Sequence, residues 1–293
     1  MQNSEPFDLA GKVVLITGAS RGVGAAIALA AAAKGAKVAC AARSTKASPK
    51  PLPGTIDETV EAVIAAGGEA LAIPTDLTSA DDIEAMVAAP VEAWGRLDVV
   101  VNNAAVTFVG EVDIPLKRYD LIMDINLRAP LLTVRAALPH LRAAGRGRIL
   151  SLSSQAALRP VPGLMSYGMS KLALERMTTD LARQLHPHRI AVNCFRIDIP
   201  VASEGTLANM GDIDLSDWEP TSVPADGIIW MLEQPDQYSG RCESMWDLRH
   251  REQIMASRAE REYTAKPPLQ FINGLYDLDT EDAFARGAEQ AGG

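Results

Sequence analysis

The feature that most restricts this chain is a junction near its start. The β-branched run Lys12–Thr17 breaks into Gly18-Ala19-Ser20-Arg21-Gly22-Val23-Gly24 and resumes as an alanine-rich stretch ending at Lys34. β-Branched residues favour a strand and alanine a helix, so these glycines fall where one turns into the other. Backbone lacking Cβ atoms can approach a pyrophosphate closely, and the helix N-terminus favours its charge. Glycine-rich turns also arise for purely structural reasons; the position between strand and helix is what points to a dinucleotide.

The same alternation continues along the chain. Helix Gly22–Lys34 is followed by strand Ala36–Ala41, helix Thr55–Ala66 with a capping box of Thr55 and Glu58, strand Ala70–Pro74, helix Ser79–Trp94 and strand Leu97–Asn102. A long helical stretch Pro115–Leu141 precedes strand Arg148–Ser153, helix Ser166–His186, strand Ile190–Arg196 and a last strand near Gly240–Met245. The pattern predicts an α/β fold: a Rossmann-type, doubly wound, parallel seven-stranded sheet with helices on both faces. A chain of 293 residues requires no second domain. We assign 1–250 to one catalytic unit and 251–293 to a C-terminal extension, helical or partly disordered. Ser44–Gly54, rich in Pro, Ser and Lys, reads as a surface excursion, and 200–218 as a mobile segment suited to closing over substrate.

Charge and composition remove several classes of function. The balance of 28 Lys+Arg against 37 Asp+Glu leaves −9, which repels nucleic acid and anionic headgroups. Met1–Gly11 has no apolar signal core, and the run Ala25–Ala33 is too short to span a bilayer, so neither export nor a membrane is expected and a cytoplasmic location is. Cys40, Cys194 and Cys242 lack the spacing of metal-binding or redox pairs and read as small apolar side chains in a reducing compartment; no metal site is expected.

Tyr167 and Lys171 stand one helical turn apart, so their side chains leave the same face. A phenol of ordinary pKa about 10 is a weak base, and a nearby ammonium favours the phenolate, bringing proton exchange with a substrate oxygen within reach. Ser154 ends a strand, where its hydroxyl can stabilise charge on a carbonyl oxygen. Ser151 and Ser153 compete with it, and only the spacing to Tyr167 selects Ser154. Pro130 has no N–H for the carbonyl of Asn126, which is left free, unless the proline merely kinks a long helix.

These residues match the TGxxxGxG, Asn-Asn-Ala-Gly, helix-asparagine, serine and YxxxK pattern of the short-chain dehydrogenase/reductase family over Leu9 to Gly240, with Ala105 in place of the usual glycine. The resemblance implies an oxidoreductase in which Asn126, Ser154, Tyr167 and Lys171 are catalytic, Asn126 through a water that links Lys171 to solvent. It implies that Gly18, Ser20, Arg21, Gly22, Val23 and Gly24 hold the cofactor diphosphate, that Asp76 and Leu77 meet the adenine, and that Asn103 and Ala104 lie under the adenosine ribose. Tyr167 and Lys171 then also touch the nicotinamide ribose. Asp76 would equally serve as a cap for the next turn.

An NAD site normally places a carboxylate after the second strand, but this chain reads Ala41-Ala42-Arg43 there. Arg43, with Arg21, suits a 2′-phosphate, so NADP(H) is expected over NAD(H), although both arginines also fit ordinary surface positions. After the sixth strand the family has Pro-Gly and a threonine for the carboxamide. Here the residues are Arg196-Ile197-Asp198-Ile199-Pro200-Val201-Ala202-Ser203, with Ser203 as the substitute hydroxyl and Arg196 and Asp198 as a candidate pair.

The reaction expected is hydride transfer between the nicotinamide and a ketone, aldehyde or secondary alcohol. The alternatives are an NADP-binding sensor or scaffold without turnover and an epimerase or dehydratase on the same fold; an enoyl reductase is disfavoured by the tyrosine–lysine spacing. Ser48–Ile56 is similar to a stretch in hydroxysteroid-dehydrogenase-like and terpenol-dehydrogenase-like members. Acidic 212–217 disfavours anionic substrates, and Leu207, Met210 and Trp218 either line an apolar pocket or simply pack. The resemblance implies a homodimer or homotetramer formed along the Tyr167 helix, and the 251–293 tail is a candidate for packing on a neighbouring subunit.

Overall fold

The computed structural model describes residues 5–207 and 213–267. Strands β1 (Val13–Thr17), β2 (Lys37–Ala42), β3 (Glu69–Pro74), β4 (Val99–Asn102), β5 (Gly147–Ser154) and β6 (Ile190–Ile197) alternate with helices α1 (Gly22–Ala33), α2 (Ile56–Ala65), α3 (Ala80–Trp94), α4 (Leu116–Met123), α5 (Ala129–Ala143) and α6 (Met165–Leu185). Beyond them lie β7 (Val201–Ala202), α7 (Glu204–Leu207), β8 (Glu219–Pro220), α8 (Ser222–Leu232), β9 (Cys242–Ser244) and α9 (Met245–Glu252). Seven strands form one parallel sheet in the order β3-β2-β1-β4-β5-β6-β9, the doubly wound arrangement expected from the sequence.

Residue alternation explains why both faces are covered. Val14 and Ile16 of β1 join Val38, Val99 and Leu150 in a core sealed by Ile27 of α1, Ile56 of α2 and Ile228 of α8. Their neighbours Val13 and Leu15 join Val100 and Ile149 in a second core under Ile83 and Met86 of α3 and Val134 of α5. Each fully buried aliphatic side chain contributes about 1.5–3 kcal/mol relative to exposure, so a strand with apolar residues at every position is stable only between two helical layers. Among the described residues, no helix is long and apolar enough to cross a membrane.

Local signals set several boundaries. Thr55 caps α2 through a complete capping box: its hydroxyl accepts from the Glu58 N–H at 3.2 Å, and the Glu58 carboxylate accepts from the Thr55 N–H at 2.8 Å. Thr55→Ala is expected to lower stability by about 1 kcal/mol. Urea unfolding measures this, and an unchanged midpoint would assign the start of α2 to packing alone. The stretch expected as one helix over 115–141 is instead interrupted: α4 passes into a π-helical turn, Asp124–Arg128, before α5 begins. Pro130, which cannot donate to the carbonyl of Asn126, accounts for the break.

The described part of the C-terminal tail packs on its own chain. Past α9 the chain leaves the helical conformation, with Gln253 at φ 56°. Arg258 reaches Ser222 and Asp226, and Arg261 pairs with Asp214 and Asp217. Those two aspartates were expected to repel anions; Arg261 faces them with positive charge. Residues 268–293 lie outside the described residues.

Candidate active site

The strand order reverses between β1 and β4, and the crevice at the carboxyl ends of such a pair is where α/β sheets bind ligands. Thr17 holds that crevice together: its hydroxyl accepts from the N–H groups of Asn103 and Ala104, both at 3.1 Å. Asn103 returns two hydrogen bonds through its amide, to the carbonyls of Thr17 at 2.9 Å and Gly18 at 3.1 Å. The Asn103 amide therefore fixes the turn and leaves its backbone and Ala104 as the surface of the crevice.

The glycines have distinct duties. A Cβ on Gly24 would lie 2.3 Å from the Gly18 carbonyl oxygen, so only glycine lets α1 pack this closely on the turn. Gly22, at φ 59°, is open: among the described residues an added Cβ would meet only Glu204 Oε2 and Ser203 Cβ, each at 3.4 Å. No side chain caps α1, and its first turn has no acidic residue. An open glycine as the first residue of an uncapped helix fits the diphosphate of a dinucleotide. The turn around Ser20 to Val23 would hold that group, and a nicotinamide would supply hydride chemistry beyond it.

Two residues placed on the adenine side are held by their own chain, Asp76 in the turn-capping role that stood as its alternative. Arg21 was expected to add charge for a 2′-phosphate, but its guanidinium donates to the carbonyls of Pro53 at 2.6 Å, Leu52 at 3.0 Å and Gly54 at 2.9 Å. It clasps the 44–54 excursion to the glycine turn. Arg43, in contrast, is exposed and enters no hydrogen bond or salt bridge among the described residues. Asp76 turns its carboxylate onto the N–H and hydroxyl of Thr78, at 3.0 and 2.8 Å, which lowers its pKa; it shapes the turn leading past Leu77 to α3.

At the far end of the crevice the structure brings Ser154, Tyr167 and Lys171 together. The Ser154 hydroxyl accepts from the Ala156 N–H at 3.3 Å and lies near enough to the Tyr167 phenol to pull its pKa down. Its competitors are engaged elsewhere, Ser153 donating to Glu175 at 2.6 Å and Ser151 lying 3.5 Å from the Asn102 amide. Lys171 is buried, with Nζ 5.6 Å from the Tyr167 ring centre and donating to the Leu152 carbonyl at 2.8 Å. Burial lowers its pKa to about 8, against the opposing pull of Cys194 and Glu175.

The phenol departs from the expectation that Lys171 acidifies it. Loss of solvent pushes the Tyr167 pKa up, and the Ser154 hydroxyl pulls it only part of the way back. The Lys171 ammonium donates to a backbone carbonyl, and burial of the phenol favours its neutral form. The Asn126 side chain accepts from Val106 N–H at 2.8 Å and donates to the Val106 carbonyl at 2.9 Å and to Ser170 at 3.1 Å. It ties the loop after β4 to the helix carrying Tyr167.

The loop after β6 corrects another pairing. Arg196 does not meet Asp198: it grips Glu175 with both arms, at 2.9 and 2.6 Å, while Asp198 accepts from the Ser244 hydroxyl at 2.5 Å and the Trp246 N–H at 3.0 Å. Ser203 shares a 2.8 Å hydrogen bond with Thr206 and accepts from its N–H, capping the short α7. Of the expected apolar lining, Leu207 and Trp218 are half-buried and Met210 lies outside the described residues. Glu175 was missed from sequence, although it extends the Tyr167–Lys171 face by one more turn. Glu204 was missed because nothing local ties it to Gly22.

Known proteins resemble this chain in sequence and fold. The sequence pattern of the family described as short chain dehydrogenase matches residues 12–199. Hydroxysteroid dehydrogenase-like protein 2 from Bos taurus is 35% identical over 237 residues, covering 79% of this chain and 56% of the relative; that from Xenopus laevis is 41% identical over the same shares. The chain thus spans about half the length of these curated relatives. Among solved structures, a short chain dehydrogenase from Mycobacterium thermoresistibile shares 30% identity with a TM-score of 0.76, covering 92% of this chain and 98% of that one. A short chain dehydrogenase from Burkholderia cenocepacia, in complex with NADP, shares 31% identity with a TM-score of 0.72 over 81% and 97%.

Proposed function

Because this chain belongs to the short chain dehydrogenase family, we propose that it is an NADP(H)-dependent oxidoreductase acting on a ketone, aldehyde or secondary alcohol. The observation that carries the reading is the grouping of Ser154 and Tyr167 beside the buried Lys171. Ser154 holds the substrate oxygen as charge develops on it, and Tyr167 gives that oxygen its proton during reduction. A phenol kept neutral by burial suits the acid's part. For oxidation the phenol must first lose its proton, and Lys171, released from the Leu152 carbonyl, supplies the charge that stabilises the phenolate.

Consumption of NADPH across a panel of ketones and aldehydes tests the proposal. Binding without turnover of any carbonyl would favour a sensor. Tyr167→Phe, run beside the wild type, attributes turnover to this site.

The cofactor preference rests on Arg43, free to fork onto a 2′-phosphate, and on the missing carboxylate at the end of β2. Ala42→Asp with Arg43→Ser is expected to shift the NADPH-to-NADH ratio of kcat/KM by roughly tenfold or more toward NADH, the scale of one charged hydrogen-bonding contact. Steady-state kinetics with both cofactors would show it; unchanged selectivity would reject the assignment. A homo-oligomer through α6 is supported by Met165 and Met169, which stand exposed one turn apart on that helix while Leu174 and Leu185 are committed to the core.

A further inference from the structure

Glu204, the first residue of α7, has a carboxylate oxygen, Oε2, that is buried and has no hydrogen-bond partner among the described residues. A desolvated carboxylate oxygen is costly unless positive charge compensates it. That charge comes from two neighbours. Oε2 is the atom that a Cβ on Gly22 would meet at 3.4 Å, which places it against the first residue of α1. Arg21 is the other: burial lowers its pKa, and Glu204 is the charge that raises it again.

The first turn of α1 contains no acidic residue and no capping side chain, so a carboxylate from a distant part of the chain supplies the anion that the helix terminus favours. The open side of Gly22 is also the side on which a dinucleotide diphosphate approaches such a turn. We propose that Glu204 is an affinity-determining residue for the cofactor: its carboxylate stands where the diphosphate approaches Gly22 and is displaced when the dinucleotide binds. The dinucleotide is then held less tightly than the glycine turn alone would hold it, and the returning carboxylate assists its release. In enzymes limited by product release, that exchange raises turnover. This inference rests on the nicotinamide reading above.

The test is direct binding, read by NADPH fluorescence or calorimetry, in wild type, Glu204→Gln and Glu204→Ala. Both variants are expected to bind NADPH roughly tenfold more tightly, the scale of relieving one partly screened like-charge contact. The alanine variant guards against a gain that comes only from a new amide hydrogen bond. Adenosine 2′-monophosphate, which has the adenine and 2′-phosphate but no diphosphate, is expected to bind all three proteins equally. Unchanged or weaker NADPH binding in either variant would overturn the inference while leaving the oxidoreductase reading intact. So would an equal gain for adenosine 2′-monophosphate, which would indicate a general charge effect. Failure of the wild type itself to bind NADPH would overturn the nicotinamide reading first, and the inference with it.

Discussion

Replacing Tyr167 by Phe is expected to lower kcat/KM for carbonyl reduction by roughly 10²- to 10⁴-fold, the range for losing a positioned general acid, while NADPH still binds. The substitution keeps the ring and removes only the hydroxyl beside Ser154. The loss should fall on kcat more than on KM, because the proton moves only in the transition state. Single-turnover measurement of hydride transfer separates this from slow cofactor release. Wild-type turnover in the Phe variant would transfer the acid's role to another group and dismantle the proposed site.

Glu175→Leu is expected to destabilise the protein by about 3–5 kcal/mol, the usual cost of stranding one member of a buried ion pair. Glu175 and Arg196 are almost wholly enclosed, and the Ser153 hydroxyl donates to the same carboxylate. Burial works to strip the Arg196 proton, yet the hydrogen bonds and charge of Glu175 hold that guanidinium above its ordinary pKa. Without the carboxylate, a cation and a hydroxyl remain in the interior with no acceptor. Urea unfolding should show the loss, and adding Arg196→Met should restore most of it, because apolar replacement of a whole buried pair is often neutral. If the single variant unfolds at the wild-type urea concentration, the pair contributes nothing to stability.

The sequence was most informative where a local rule acts alone. The seven strands follow from apolar runs that must be covered on both sides, and the α2 boundary from Thr55 and Glu58, three residues apart. Tyr167 and Lys171 share a helix face by spacing, which is why they could be named together. Contacts between distant segments were not legible in this way. Arg196 was assigned to its near neighbour Asp198, whereas the fold offers it Glu175 from α6. Arg21 looked free because its acceptors are backbone carbonyls of Leu52, Pro53 and Gly54, which carry no mark in a sequence. The direction of the Tyr167 shift depended on burial, and helical spacing alone made Lys171 look dominant. The break at Asp124–Arg128 was signalled by Pro130, but a proline does not declare whether a helix will kink, end or widen its hydrogen-bond ladder.

The clasp formed by Arg21 makes residues 18–24 and 44–54 a single hereditary unit. A chimera that imports this glycine turn into a relative with a shorter β2–α2 connection would carry a guanidinium whose three acceptors stayed behind. Recombination or engineering across this boundary must therefore move both pieces, or change Arg21 in the same step.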